Sequence, residues 1–288
     1  MASRGRRRPE SRPGLARGTV HAVPEASGGR WADSTFLRET QYADDSNLAA
    51  RQHIYAYCAH PIDLPAVVID SLALDGQEIV VDVGCGNGLY LAELARRGHR
   101  GQLAGVDLSA GMLRAARARA PAAWLFAGDA ARLPLRDGAG DLTLAMHMLY
   151  HVAEPAIAVA ELRRATRPGG RVVVGLNSDD HLSELRALVN AELFAAGLHA
   201  SHVVRERIRL DAGAELLAGV FDSVIRHDVT GELRLPDQRP VAGYVRSMSI
   251  TQSTPEGEQL VQAVTRRLNF DADGIFRVTT HSGWLVCA

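Results

Sequence analysis

The sequence predicts an α/β fold, an open and mostly parallel sheet covered by helices on both faces. Three observations predict it. Short apolar runs alternate with amphipathic stretches across residues 79–176. The runs are nearly continuous in apolar character, as strands buried on both faces must be. The first of them, Val80-Val81-Asp82-Val83-Gly84-Cys85-Gly86-Asn87-Gly88, delivers three glycines at alternate positions into a helical pattern. A strand, a glycine loop and a helix N-terminus in that order make a nucleotide-type pocket.

The elements follow in order. Residues 1–30 carry Arg6-Arg7-Arg8 among prolines, glycines and small polar residues without periodicity, and are expected to form a disordered basic tail. Residues 31–73 form an N-terminal helical cap, in which Leu48, Ile54 and Tyr55 are expected to share an apolar face and Pro61 and Pro65 punctuate the helices. The core spans 74–178. Its expected strands are 79–83, 102–107, 123–127, 142–147 and 171–176, and its helices 89–97, 110–120 and 154–166. Arg167-Pro168-Gly169-Gly170 reads as a turn that launches the fifth strand. Residues 179–208 read as a helical lid insert, helical over 181–207. Residues 209–288 return as the C-terminal part of the core sheet: strands 223–235 and 275–287 pair antiparallel at one edge, and 259–268 is a helix.

The chain has 288 residues, 47% hydrophobic, with a formal net charge of −1, enough for one large domain or a domain with a cap. The near-neutral charge argues against a nucleic-acid partner, which needs a basic surface. No apolar run approaches the roughly 20 residues of a membrane span. The 3 cysteines (Cys58, Cys85, Cys287) are too few and too scattered for a disulfide framework, and a cytoplasmic protein is expected. The chain holds no lysine, which excludes Schiff-base chemistry and a lysine base.

Asp107 ends the second strand, about 20 residues beyond the glycine loop, where a carboxylate accepts from both hydroxyls of a ribose. A dinucleotide site shares this feature. It differs at Leu89, where a pyrophosphate site wants a small residue, and at Asp82, whose negative charge suits a cationic ligand. Asp129, after the third strand, is placed to accept from an adenine amino group while the next backbone N–H reaches a ring nitrogen. The segment Asp141–Val152 ends the fourth strand at the carboxyl edge that faces the crevice.

With these four segments in order, the chain resembles the class I S-adenosylmethionine-dependent methyltransferases, and most closely their small-molecule branch with the ubiquinone and menaquinone C-methyltransferases. The resemblance covers about residues 75–176. It implies a Rossmann-like seven-stranded sheet whose last strand is antiparallel, with S-adenosyl-L-methionine as cofactor, S-adenosyl-L-homocysteine as product and no metal. Carried over by position, it implies that Asp82, Gly84, Gly86 and Gly88 surround the methionine and ribose portions. Asp107 binds the ribose, Leu108 and Met112 flank the adenine, and Asp129 and Ala130 read its edge. His147 lines the floor near the methyl group, and Tyr42 and Arg51 close over the cofactor, Arg51 toward its carboxylate.

Methyl transfer from a sulfonium is an in-line displacement that mainly needs alignment and exclusion of water. A base is required only where the acceptor must lose a proton. His151 and Tyr42 lead the candidates, followed by His53 and Tyr150; His181, His199, His202, His227 and His281 rank lower. No Asn/Asp-Pro-Pro-Tyr/Phe motif follows the fourth strand, where Met148-Leu149-Tyr150-His151 stands, which argues against amino-group methylation of DNA bases or glutamine. The lid, with residues 241–248, is expected to cover the crevice over a small, aromatic or apolar acceptor. Leu182, Leu185, Leu188, Leu193 and Phe194 either line it or pack the lid onto the core. The segment Tyr42–Arg51 also resembles actinobacterial secondary-metabolism methyltransferases, some of which methylate an indole carbon with the help of a base such as a Tyr–His pair. The alternatives are an RNA or protein methyltransferase using the basic tail, a non-catalytic cofactor-binding regulator and a nicotinamide-dependent enzyme.

Overall fold

The computed structural model describes residues 33–197, 208–253 and 256–288. The expected tail at 1–30 and the end of the lid insert, with His199 and His202, lie outside the described residues. The strands are β1 (Val80–Val83), β2 (Leu103–Asp107), β3 (Trp124–Ala127), β4 (Gly140–Met146), β5 (Thr166–Asn177), β6 (Val224–Leu235) and β7 (Phe276–Cys287). They form one sheet in the order β3-β2-β1-β4-β5-β7-β6. The first five pair in parallel, and β7 runs antiparallel between β5 and β6. This is the expected seven-stranded architecture.

The helices are α1 (Ser34–Phe36), which continues as a π-helical turn to Gln41, α2 (Ser46–His53), α3 (Leu64–Ser71), α4 (Leu89–Arg96), α5 (Ala110–Arg119) and α6 (Pro155–Ala165). They are followed by α7 (Ser183–Ala195), α8 (Leu210–Ala218), α9 (Arg239–Arg246), α10 (Ser249–Ser253) and α11 (Gly257–Arg266). Among the described residues no helix is long and apolar enough to cross a membrane.

Residues alternate sides along a strand. Val172 and Val174 enter one buried cluster with Val81, Val83 and Leu162, while Val173 enters the opposite one with Val80, Leu91 and Leu144. Both faces of the central strands are therefore covered, which is why they read as continuous apolar runs. The expected turn Arg167–Gly170 is assigned inside β5. The pairing steps from Gly140 opposite Thr166 to Leu142 opposite Arg171, so the four residues bulge out of the ladder with Gly169 at φ +73°.

A third cluster joins Ile54, Leu185, Val189, Leu193, Val241, Val245 and Val261. Of the lid leucines, Leu182, Leu185 and Leu193 are buried in this cluster and Leu188 packs on it, whereas Phe194 is exposed. They hold α7 to the core and do not line the crevice. Ile54 also belongs here, so it does not share the face of Leu48 and Tyr55.

The sheet order reverses between β1 and β4. Connections leave β1 toward β2 and β3 and then return to β4 on its other side, which opens a crevice at the carboxyl ends of the strands.

Candidate functional site

The loop after β1 is anchored by its backbone: the amides of Gly84 and Cys85 both donate to the Val106 carbonyl, at 2.7 and 3.1 Å. The Gly86 amide donates to Asp107 Oδ2 at 2.8 Å, and the Ser109 amide to Asp107 Oδ1 at 2.8 Å. Asp107 is thus held at the end of β2 by two backbone donors, each oxygen keeping further lone-pair capacity toward the crevice. Gly86 adopts φ +52°, and a Cβ there would meet only Leu48 Cδ2, at 3.4 Å.

Asp82 is buried, and its Oδ2 has no hydrogen-bond partner among the described residues. Burial, and then the nearby Asp107 charge, push its carboxyl up to about 8. An unpartnered carboxylate oxygen beside a glycine cradle fits a ligand carrying positive charge, as the ammonium or sulfonium of S-adenosylmethionine does.

These groups open into one cavity of about 900 Å³, at the upper end of ordinary ligand pockets. Asp82, Gly84, Gly86 and Asp107 line it, as do Leu108, Met112, Asp129 and Ala130 from the ends of β2 and β3. Asp129 Oδ1 accepts from the Ala131 amide at 2.9 Å, which fixes the carboxylate at the rim. His147, directly after β4, lies on the wall with its backbone at φ +55° and its amide bonded to the Gly175 carbonyl. Burial pushes its imidazole down to about 4, so the ring is neutral.

Gly88 departs from expectation: it is absent from the cavity wall. It takes φ +79° as the residue preceding α4, and a Cβ there would stand 3.0 Å from Ala116 Cα. Its smallness lets α4 lie against α5.

The N-terminal helices form the roof. Leu48, Arg51, Gln52 and Tyr55 line the cavity at the i, i+3, i+4 and i+7 positions of one helical face. Arg51 Nη1 donates to Tyr42 Oη at 3.0 Å, and Tyr42 Oη lies 2.9 Å from His151 Nε2. Arg51 Nη2 donates to the Ser247 carbonyl at 2.7 Å. Burial works against the Arg51 charge, but Tyr42, Tyr244 and Tyr150 more than offset it, and the guanidinium is held above its ordinary value. Tyr150 lines the cavity and meets the His151 ring edge-on at 4.6 Å.

The other titratable candidates separate. His53 is exposed, edge-on to Tyr57, and outside the wall. His227 stacks on Trp284, and His281 is held between Asp180 and Asp228. His181, ranked low from sequence, is buried and lines the cavity, with Nε2 2.9 Å from Tyr55 Oη. Tyr244 and Met248 also line it, from the 241–248 segment expected to cover the crevice. Tyr55 was missed as a wall residue, although the helical spacing from Leu48 could have pointed to it.

Residues 81–174 match the family model described as a methyltransferase domain. An uncharacterised 37.1 kDa protein in a transposon of Streptomyces fradiae is 31% identical over 252 residues, which is 80% of this chain and 69% of that one. A ubiquinone biosynthesis O-methyltransferase of Sodalis glossinidius is 30% identical over 58% of this chain and 67% of its own. Against several demethylmenaquinone methyltransferases the chain spans between 42% and 54% of their length. The solved YcgJ protein of Bacillus subtilis shares the fold, with a TM-score of 0.55 at 16% identity over 77% of this chain and 96% of that one. The family match covers the strands that build the cavity floor, and the relatives extend it on both sides; the chain belongs to the class I S-adenosylmethionine-dependent methyltransferases.

Proposed function

We propose that the protein methylates a small, planar, largely apolar metabolite, and that carbon methylation of an indole-type ring is the reaction its cavity supports best. The observation that carries this reading is the line Arg51–Tyr42–His151 on the cavity wall. An arginine only donates, so the Tyr42 oxygen accepts from Arg51, and with His151 in its Nδ1–H tautomer the Tyr42 proton points at His151 Nε2. Tyr42 can pass that proton to His151 while Arg51 stabilises the tyrosinate, and the tyrosinate can then take a proton from the acceptor. A ring carbon that attacks a methyl group needs such a base for its adjacent N–H.

The proposed cofactor-holding groups lie on the other half of the crevice. Asp82 and the glycine loop would surround the methionine portion, Asp107 the ribose, and Leu108, Met112, Asp129 and Ala130 the adenine. The cofactor supplies an activated methyl on a cationic sulfur. The chain supplies alignment, a dry roof under α2 and a place for the displaced proton.

The test is calorimetry followed by mass spectrometry. S-adenosylhomocysteine should bind and NADH should not. Incubation with S-adenosylmethionine and a panel of indoles, phenols and quinols should give a product one methyl heavier, with indoles the best acceptors. Tight cofactor binding without turnover on any panel member would favour a non-catalytic regulator.

A further inference from the structure

Tyr90, in the first turn of α4, lines the cavity and takes no part in the chemistry described so far. It is 8% exposed, and its ring packs in the cluster of Val80, Leu91 and Leu144. Its hydroxyl has no hydrogen-bond partner among the described residues. A buried polar group left without a partner is costly and rare, and where it lines a cavity it points to a ligand. Asp82 Oδ2 is a second such oxygen on the same cavity: Asp82 is 1% exposed and lines it too. The two residues bracket the glycine loop, Asp82 ahead of it in β1 and Tyr90 behind it in α4.

The surrounding charge says which ligand group the two oxygens take. Burial, and then the Asp82 and Asp63 charges, push the Tyr90 phenol up, so it stays protonated in a negative neighbourhood. Asp63 lines the cavity as well, and its Oδ1 caps α3 by accepting from the Ala66 amide at 3.2 Å. These carboxylates draw the hydroxyl proton toward themselves and leave the oxygen lone pairs for an outside donor. The arginines of the cavity wall, Arg38 and Arg51, come from the N-terminal roof. A ligand carboxylate beside Tyr90 would therefore meet like charge. A sulfonium carries the right charge but has no N–H to give. An ammonium carries the charge and three donors, enough for both oxygens.

We propose that Tyr90 is a cofactor-binding residue whose hydroxyl oxygen, together with Asp82 Oδ2, accepts from the ammonium of the cofactor's amino-acid end. The inference rests on the reading that Asp82 and the glycine loop surround the methionine portion, and it assigns these oxygens to the ammonium rather than the sulfonium. With one oxygen held in β1 and the other in α4, the site distinguishes the full cofactor and its product from adenosine thioethers that lack the amino group.

The test titrates the full chain by calorimetry with three probes: S-adenosylhomocysteine, its analogue lacking only the carboxylate, and its analogue lacking only the amino group. Tyr90→Phe should weaken the first two by about tenfold, the weight of one hydrogen bond to a charged group at the low end of its range. The deaminated analogue should bind wild type and variant alike. The hydroxyl has no partner to lose in the ligand-free protein, so Tyr90→Phe should keep the wild-type melting temperature or raise it. Unchanged affinity for all three probes, or a loss that follows the carboxylate instead of the amino group, overturns the proposal. A lowered melting temperature with all three probes weakened alike marks a structural hydroxyl and overturns it too. Failure of the wild type to bind any of the three would overturn the methyltransferase reading beneath it, and that failure is read on the wild type alone.

Discussion

Tyr42 Oη lies 2.9 Å from His151 Nε2 across 109 residues of chain, with the two rings edge-on at 5.4 Å. Arg51 closes the line from the other side, at 3.0 Å from the same oxygen. If the two side chains act as one base, their losses are not additive. Tyr42→Phe and His151→Asn are each expected to lower kcat by about 10²–10⁴-fold, and the double variant by no more than the worse single one. S-adenosylhomocysteine affinity should stay within a few-fold. Unchanged turnover in both single variants would remove them from the chemistry.

The buried acid and the buried histidines set opposite limits on stability. His147 and His181 are held down to about 4 and about 3 against an ordinary 6.5. The unfolded chain therefore binds protons that the fold refuses, and stability is lost as pH falls below 6.5. Asp82 is raised to about 8 against an ordinary 3.8, so the fold keeps a proton that the unfolded chain has released, and stability falls as pH rises through that window. Above about pH 6.5 the histidines contribute nothing further, and Asp82 governs the slope. The cofactor-free protein is expected to melt highest near pH 6.5. Asp82→Asn should flatten the alkaline limb and steepen the acid limb, where Asp82 opposes the two histidines. A cationic ligand favours the carboxylate form, so S-adenosylmethionine binding near neutrality should release a proton. Calorimetry in two buffers of different ionisation heat measures that release directly.

One backbone carbonyl of the C-terminal helices takes two donors from the roof. The Ser247 carbonyl accepts from Gln41 Nε2 at 3.0 Å and from Arg51 Nη2 at 2.7 Å, while Gln41 Oε1 accepts from Ser249 Oγ at 2.6 Å. Gln41 is fully buried. Gln41→Leu would leave the Ser249 hydroxyl without that acceptor and the carbonyl with one donor fewer, a cost of about 1–3 kcal/mol. Denaturant unfolding should show that loss, and amide exchange should quicken over residues 34–57 more than in β1 or β4.

The half of the cavity proposed to hold the cofactor was legible in the sequence because each of its pieces is local. The glycine loop begins directly after β1, Asp107 ends β2 and Asp129 stands two residues past β3, so strand periodicity alone puts them at the same edge. The opposite side of the cavity was less legible. Tyr55 and His181 stand 126 residues apart, and the sequence near His181 looks like an ordinary surface stretch until β7 supplies the His281 amide. Arg167–Gly170 carried a true turn signal, but the chain returns to the same ladder after it, which local reading has no means to register. Gly88 was misplaced for a related reason: its neighbour is α5, 28 residues on, and only tertiary packing brings Ala116 against it.

That correction separates two glycines that look equivalent in the sequence. Both take positive φ, so an alanine at either meets about 1–2 kcal/mol of left-handed strain. They differ in what the new methyl would touch. At Gly88 it would stand 3.0 Å from Ala116 Cα, a backbone atom that cannot step aside without moving α4 from α5. At Gly86 it would meet only the flexible end of Leu48, at 3.4 Å, and would project into the cavity. Gly88→Ala is therefore expected to lower the melting temperature more than Gly86→Ala, with S-adenosylhomocysteine affinity little changed in the fraction that folds. Gly86→Ala should keep most of its stability and lose affinity by about tenfold or more, since about 1.4 kcal/mol of steric cost suffices for that. Melting curves and calorimetric Kd values on both variants decide it. Lost affinity with an unchanged melting temperature in Gly88→Ala would return that glycine to the cavity.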